Sequence, residues 1–477
     1  MAIILPGNVA SATADTGFDV DNSCRFSRPA AQYMHKTPGS DGNTGHKKYT
    51  FSTWVKRTST KAVEHVLFRT KDGSNVENVM RWDTDGKLRL YATGGAASLV
   101  TSGYYRDPSA WYNIIWACDT TQGVAANRVK LYVNGTQVTA FGTETYPSAD
   151  VDMKICGTTL HILGAVWTDS RDGDADFYLA ETILIDGTQY AASDFGEFDD
   201  SSPKMWKPKE SVKDLTFGTN GFYLDYKDSA NLGNDINGGT DLTEVNLAAI
   251  NQTTDSPTNS FATMNVINYS PSTNFTNTSE SQDGALLFKQ IAGTTADRRW
   301  VSTIGVTSGK WYFEAICTAG ETNAYVGISD QAQYRSYGDD YVGELSLDVG
   351  YNLAAGSVYV NGSTVDTSED TFGTSDIICV ALDATNGKIY FRKNGGSWVN
   401  SGDPAGDSNG YDIVAGATYH PSGSISINNG SMRVNFGNPI VANASSVADG
   451  NGYGAFEYTP PSGFLALCTK NLGSDGG

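Results

Sequence analysis

Apolar and polar residues alternate along most of this chain. At Val129-Lys130-Leu131-Tyr132-Val133 the aliphatic positions fall on every second residue, and the run stops at Asn134-Gly135. Successive side chains leave a strand on opposite faces, so this period marks a half-buried strand. Asn-Gly supplies the two positive φ angles of a type I′ turn, and the run therefore predicts one arm of a tight hairpin. The same grammar returns at 357–360 before Asn361-Gly362 and at 388–393 before Asn394-Gly395. Long windows with a helical period are missing. The pattern predicts an all-β protein made of antiparallel β-sandwiches.

Two stretches repeat one another. Trp111 to Asp119 is a fully apolar strand closed by Asp, followed by a polar turn and the alternating run 129–135; Ser375 to Asp383 leads in the same way into 388–395. Two related sandwiches explain the repetition, and convergent hairpin grammar is the alternative. Between them, residues 247–277 are rich in Ser, Thr, Asn and Pro, a composition that reads as a linker on the surface. The expected organisation is an N-terminal arm at 1–13, a first sandwich at 14–246, the linker, a second sandwich at 278–438 and a C-terminal strap at 439–477. Within the first unit, 201–214 carries Pro203 and Pro208 and reads as an exposed crossover loop or short helix.

Composition narrows the function classes. Lys plus Arg number 33 against 53 acidic residues, a formal charge of -20, with no local basic patch, so a phosphate backbone is not an expected partner. The six cysteines show no CxxC pair and no zinc spacing, and Cys379 stands in the apolar run Ile377-Ile378-Cys379-Val380; buried thiols are expected, as suits assembly in a reducing cytosol. The N-terminal apolar run is short and lacks a basic lead, and no stretch reaches the length of a membrane helix, so neither secretion nor membrane insertion is expected.

The first unit resembles the laminin-G-like, concanavalin A-like lectin/glucanase fold, on the strength of Phe51-Ser52-Thr53-Trp54-Val55-Lys56-Arg57, Trp111-Tyr112-Asn113, Lys130 to Gly135, Ile162-Leu163-Gly164-Ala165 and Phe177-Tyr178-Leu179-Ala180-Glu181. The second resembles a SPRY domain through Gly309-Lys310-Trp311-Tyr312-Phe313-Glu314, Val326-Gly327-Ile328-Ser329, Asn386 to Phe391 and Arg433-Val434-Asn435-Phe436-Gly437. The tandem, with its 254–265 segment and the Pro-Pro-Ser-Gly-Phe-Leu-Ala-Leu-Cys tail at 460–468, is similar to structural proteins of bacteriophages. That resemblance implies a virion location, a tail fibre, spike or capsid fibre, contacts with other virion proteins or a host-surface glycan, and a homo-oligomer, usually a trimer.

Candidate chemistry is sparse. Glucanases of the first fold use an E-x-D-x-x-E strand, which alternation places on one face; the nearest string here, Glu197-Phe198-Asp199-Asp200, has Ser202 where the second Glu belongs. Gly406-Asp407-Ser408-Asn409-Gly410 fits G-x-S-x-G but lies among turn residues with no helix after it. No catalytic residue is therefore expected. Asp169, Asp172, Asp174 and Asp176 cluster closely enough to face a calcium ion, a rim site that laminin-G-like domains often carry, or they form a plain solvated loop. Tyr334, Arg335, Tyr337, Asp339, Asp340 and Tyr341 form the candidate recognition loop, since Tyr and Arg anchor interfaces; the alternative is that these tyrosines cover the core's own edge. Tyr104, Tyr105 and Trp167 carry the same two readings. The expected function is a non-enzymatic attachment protein, with a purely architectural decoration protein and a glycan-processing hydrolase as the alternatives.

Overall fold

The computed structural model describes residues 17–475 apart from 43–45, 60–62, 73–76, 93–96, 166–175, 201, 203, 267–278, 291–296 and 331–339. The N-terminal arm lies outside the described residues. The rest divides into two compact all-β units that change over between Thr258 and Asn259.

In the first unit, one sheet runs in spatial order Thr136–Val138, Val129–Val133, Trp111–Asp119, Lys48–Arg57, Phe177–Asp186, Ser23–Phe26 and Gln252–Thr253. A second sheet runs Phe141–Thr145, Ala97–Thr101, Leu88–Ala92, Glu77–Trp82, His65–Lys71, Leu160–Leu163, Tyr33–Lys36 and Thr243–Val245. Phe51, Ile114, Trp116 and Leu131 from the first sheet meet Phe68, Met80, Trp82 and Leu90 from the second in one buried core. The expected sandwich architecture is present.

The second unit has the same build. Leu287–Gln290, Ser431–Asn435, Lys310–Ala319, Ile377–Asp383 and Lys388–Lys393 lie side by side, facing a sheet of Arg298–Val301, His420–Ile425, Ala324–Ser329, Val349–Asn352, Ser357–Val360 and Ser363–Asp366. The tail lies on this sandwich, with Leu465–Ala466 pairing in parallel with Lys310–Ala319. Phe464, Ala466 and Cys468 join Phe261, Tyr312 and Tyr390 in an apolar layer outside the sheet.

The repeated stretches occupy corresponding places. Asp119 sits opposite Lys48 and Asp383 opposite Lys310, and the ion pairs measure 3.3 and 3.0 Å. Each Asp also caps the turn that follows it, accepting from Thr121 N–H in one case and Asn386 N–H in the other. All three Asn-Gly turns have positive φ at both residues. In each, the Asn Oδ1 accepts a backbone N–H from a neighbouring segment: Asn113 to Asn134, Leu347 to Asn361, Ile377 to Asn394. The turn residue thus also fixes the register beside it.

Two expectations about exposure are corrected. The polar segment expected on the surface is buried at Asn251, Thr253 and 255–266. Its polar groups go inside where partners meet them. Thr258 Oγ1 bonds both Val20 N and Val20 O, and Asn251 Nδ2 donates to Arg25 O. Asp255 receives the Lys56 ammonium at 2.7 Å and Trp111 Nε1 at 3.1 Å, with both ionic side chains fully buried. Beyond the changeover, Ala262 N–H donates to Leu467 O and Met264 N–H to Ala285 O, so the next residues are built into the second unit.

The stretch expected as an exposed crossover loop or short helix does contain a short helix, with Lys204, Glu210, Lys213 and Asp214 exposed, but Trp206 is drawn inside. Trp206–Pro208 pairs with Gly196–Phe198, and Glu210–Asp214 is a short 3-10 helix. Trp206 is buried, donates to Asn113 Oδ1 and stands edge-on to Phe198 at 5.0 Å. A Cβ on Gly135 would lie 2.2 Å from its ring, so that turn glycine also makes room for the indole. The six cysteines are all free and buried.

Asp255→Ala leaves the Lys56 ammonium buried without a counter-charge, and the expected loss is about 3–5 kcal/mol of first-unit stability, read by urea unfolding. Adding Lys56→Met is expected to restore a large part of it. A single variant within about 0.5 kcal/mol of the parent, the range of ordinary surface substitutions, would show that the pair does not hold this segment.

Candidate ligand-binding surface

Alternation in the second sandwich sends Ala324, Val326, Ile328 and Val358 into the core. It leaves Tyr325 and Tyr359 on the outer face of the same sheet. Tyr341, from the loop that follows Ala324–Ser329, stacks on Tyr325 with centroids 4.5 Å apart and planes at 25°, and stands edge-on to Tyr359 at 5.4 Å. All three rings are half-buried. Burial raises the phenol of Tyr341 and pushes that of Tyr325 up to about 12, so both remain neutral hydroxyls over ordinary pH. Each can donate and accept a hydrogen bond beside its ring face.

The base of that loop is fixed. Val342 N–H donates to Ser424 Oγ, and the Val342 carbonyl rests where a Cβ on Gly350 would come within 1.8 Å, so the loop can lie against the sheet only because that residue is glycine. Below it, Arg299 reaches Asp348 at 2.7 Å and Ser329 at 2.6 Å, both bonds being buried. Burial raises the Asp348 carboxyl, against the pull of the Arg299 guanidinium.

Of the recognition-loop residues, Asp340 and Tyr341 are described, and Tyr334, Arg335, Tyr337 and Asp339 lie outside the described residues. Tyr341 packs on the sheet through one face and stays partly exposed. Sequence reading missed Tyr325 and Tyr359, although their position between core-facing neighbours was a usable signal.

Asp169, Asp172 and Asp174 also lie outside the described residues, with Trp167. Asp176 is described: it is buried, its Oδ1 accepts Arg28 N–H at 2.9 Å and its carbonyl accepts Thr58 N–H. Its role there is to join two backbone segments. Among the described residues, no group of three or more His, Cys, Asp and Glu side chains could hold a metal ion.

In the first unit, Tyr104 is 56 % exposed and lies between two cations, Arg106 at 4.4 Å and Lys87 at 5.0 Å from its ring. Tyr105 turns inward, edge-on to Tyr112 at 5.9 Å. Glu197 and Asp199, from the near-match to the glucanase string, both reach Lys207, at 3.6 and 3.5 Å. Ser408 lies in a turn whose backbone pairs with Asp403.

The strongly shifted carboxyl is elsewhere. Glu181 sits at φ 47 in a bulge of Phe177–Asp186, beneath Tyr223, whose hydroxyl donates to it. Burial pushes it up to about 7. With 5 % exposure, it is covered by the protein's own side chains.

Residues 32–178 match the family model described as the concanavalin A-like lectin/glucanases superfamily, and residues 310–437 match the SPRY domain model. Among solved structures, the SPRY domain of human HERC1 is similar at 22% identity over 33% of this chain and 91% of that one, with a TM-score of 0.26. A heptameric SAP-like pentraxin from Limulus polyphemus gives 12%, 37%, 80% and 0.28 in the same order. A putative carbohydrate binding protein from Bacteroides ovatus gives 13%, 48%, 58% and 0.31. No curated protein matches the chain.

Two buried groups of the first unit set opposing pH dependences. Glu181, raised from 4.5 to about 7, holds its proton more tightly when folded; its stabilisation is complete below the unfolded value and lost as pH rises toward 7. Burial pushes His161 from 6.5 down to about 4, so its contribution is complete above 6.5 and lost as pH falls toward 4. Relative to the parent, Glu181→Gln is expected to gain stability as pH rises from 4.5 to about 7, and His161→Gln as pH falls from 6.5 to about 4, each by about 3 kcal/mol. Urea unfolding at several pH values checks both, and parallel curves for parent and variants would refute the assignment.

Proposed function

We propose that this tandem of a concanavalin A-like domain and a SPRY domain is a non-enzymatic attachment protein of a bacteriophage particle, part of a tail fibre, spike or capsid fibre. It binds a host-surface glycan or other virion proteins, works as a homo-oligomer, a trimer by resemblance, and is assembled in the host cytoplasm. The observation that carries the binding role is the partly exposed Tyr325–Tyr341–Tyr359 stack on a fixed base. Aromatic faces ringed by hydroxyls suit the apolar face and polar edge of a sugar ring, and tyrosine anchors protein interfaces equally well. The candidate loop residues Tyr334, Arg335, Tyr337 and Asp339 precede the stack directly in sequence. The virion setting rests on the resemblance of the tandem and its tail to phage structural proteins.

Purified full-length protein is expected to bind whole bacteria or extracted surface polysaccharides saturably. Tyr341→Ala and Tyr359→Ala are each expected to weaken that binding by about tenfold or more, as loss of an interface anchor does. Running the panel with and without a chelator tests the calcium reading of Asp169, Asp172, Asp174 and Asp176. A folded oligomer that binds no host preparation would make the protein an architectural decoration component, and release of reducing sugar would make it a hydrolase.

A further inference from the structure

The outer face of the sheet built on Lys310–Ala319 is covered in part by the apolar tail layer. Beside that layer, Glu314, Ile316, Ile377 and Arg433 line a cleft of about 80 Å³, closed on the other side by 439–443 and Glu457. Glu314 is saturated: its two oxygens accept from the Tyr312 hydroxyl, the Asn435 amide and the backbone N–H groups of Glu457 and Tyr458. Glu457 Oε2 accepts Ala444 N–H.

The donors of the cleft are not saturated. The Arg433 guanidinium is half-buried and makes no hydrogen bond or ion pair among the described residues. Burial lowers its pKa, with Asp283 acting the other way. Asn443 Nδ2, in the opposite wall, is buried with no hydrogen-bond partner among the described residues. For Asn443 Nδ2, the buried one of the two, the missing acceptor costs about 1–3 kcal/mol, which a guest carrying that acceptor recovers.

Two guests present such an acceptor. A carboxylate matches a guanidinium best in isolation. Here, however, Glu314 and Glu457 share the lining, and repulsion between like charges is several-fold stronger in a partly dry cleft than in water. A neutral amide avoids that repulsion. The lining offers such a carbonyl the donors Arg433 and Asn443, its N–H the acceptor Glu457, and a methyl the side chains of Ile316, Ile377 and Ile440. At roughly 10–15 Å³ of such space per water, the cleft holds several water-sized atoms, enough for the heavy atoms of an acetamido group.

We propose that this cleft takes the acetamido group of an N-acetylated amino sugar, an inference that rests on the glycan-binding reading and names the sugar class. The test is titration of the full-length protein with N-acetylglucosamine, N-acetylgalactosamine, glucosamine, glucose and glucuronate, followed by saturation-transfer NMR. The acetyl methyl should receive the strongest saturation, and N-acetylated sugars should bind roughly tenfold or more tightly than the others. Arg433→Met and Ala442→Trp should each remove that preference. Should Arg433→Met fail to fold, the cleft-filling Ala442→Trp carries the test. Preference for glucuronate would make this an anion site and overturn the proposal. N-acetyl sugar binding that survives both cleft variants but is lost with Tyr359→Ala would overturn it too, and would leave the glycan reading standing. Failure of every monosaccharide overturns the cleft assignment alone, because the polysaccharide panel judges the wider reading independently.

Discussion

The Lys56 ammonium and the Asp255 carboxylate meet where neither has access to water. Removing two ions from water costs several kcal/mol each, which their attraction offsets only when geometry is good and the remaining lone pairs are satisfied. Trp111 Nε1 takes the second Asp255 oxygen, and Ser23 Oγ donates to the Asp255 carbonyl. The pair is therefore stable in one position only. That position seats residues 251–258 on the sheet carrying Trp54, Trp111 and Tyr178, whose outer side is otherwise covered by Phe195, Trp206 and Phe217. An uncovered row of such rings would be a sticky patch of the kind that soluble proteins avoid. Polar segments and apolar covers thus serve one purpose on this face.

The strands and turns were legible because their signals are local. Asn134-Gly135, Asn361-Gly362 and Asn394-Gly395 state their own φ angles, and alternation from Val129 to Val133 states its own two faces. The segment from Asn251 to Asn265 was not legible. Hydropathy treats Thr, Ser, Asn and Asp as seeking water, whereas the partners that bring Thr258 and Asp255 inside stand 238 and 199 residues away in sequence. Trp206 was hidden in the same way, its meaning depending on a distant Asn113 and on glycines that leave room for its ring.

The candidate surface was half legible. Tyr341 was picked out by its neighbours in the loop, while Tyr325 and Tyr359 required following alternation one step further, to ask which face each tyrosine takes. Glu181 gave no warning, since a bulge with a left-handed Glu leaves no mark in composition. Asp176 drew notice as one of four clustered carboxylates, and its place in the fold, accepting the Arg28 N–H, left no mark in the sequence. In each case the residue type was informative about chemistry, and the backbone decided which use of it was made.

Burial has one more effect on the cysteines. All six thiols lie inside, and exclusion of water raises the pKa of each, to about 12 at Cys317 and Cys468. The thiolate is the reactive species in disulfide exchange and oxidation, so at neutral pH these sulfurs offer almost none of it, and what there is cannot be reached. Exchange or oxidation at these six sulfurs therefore requires the surrounding fold to open first.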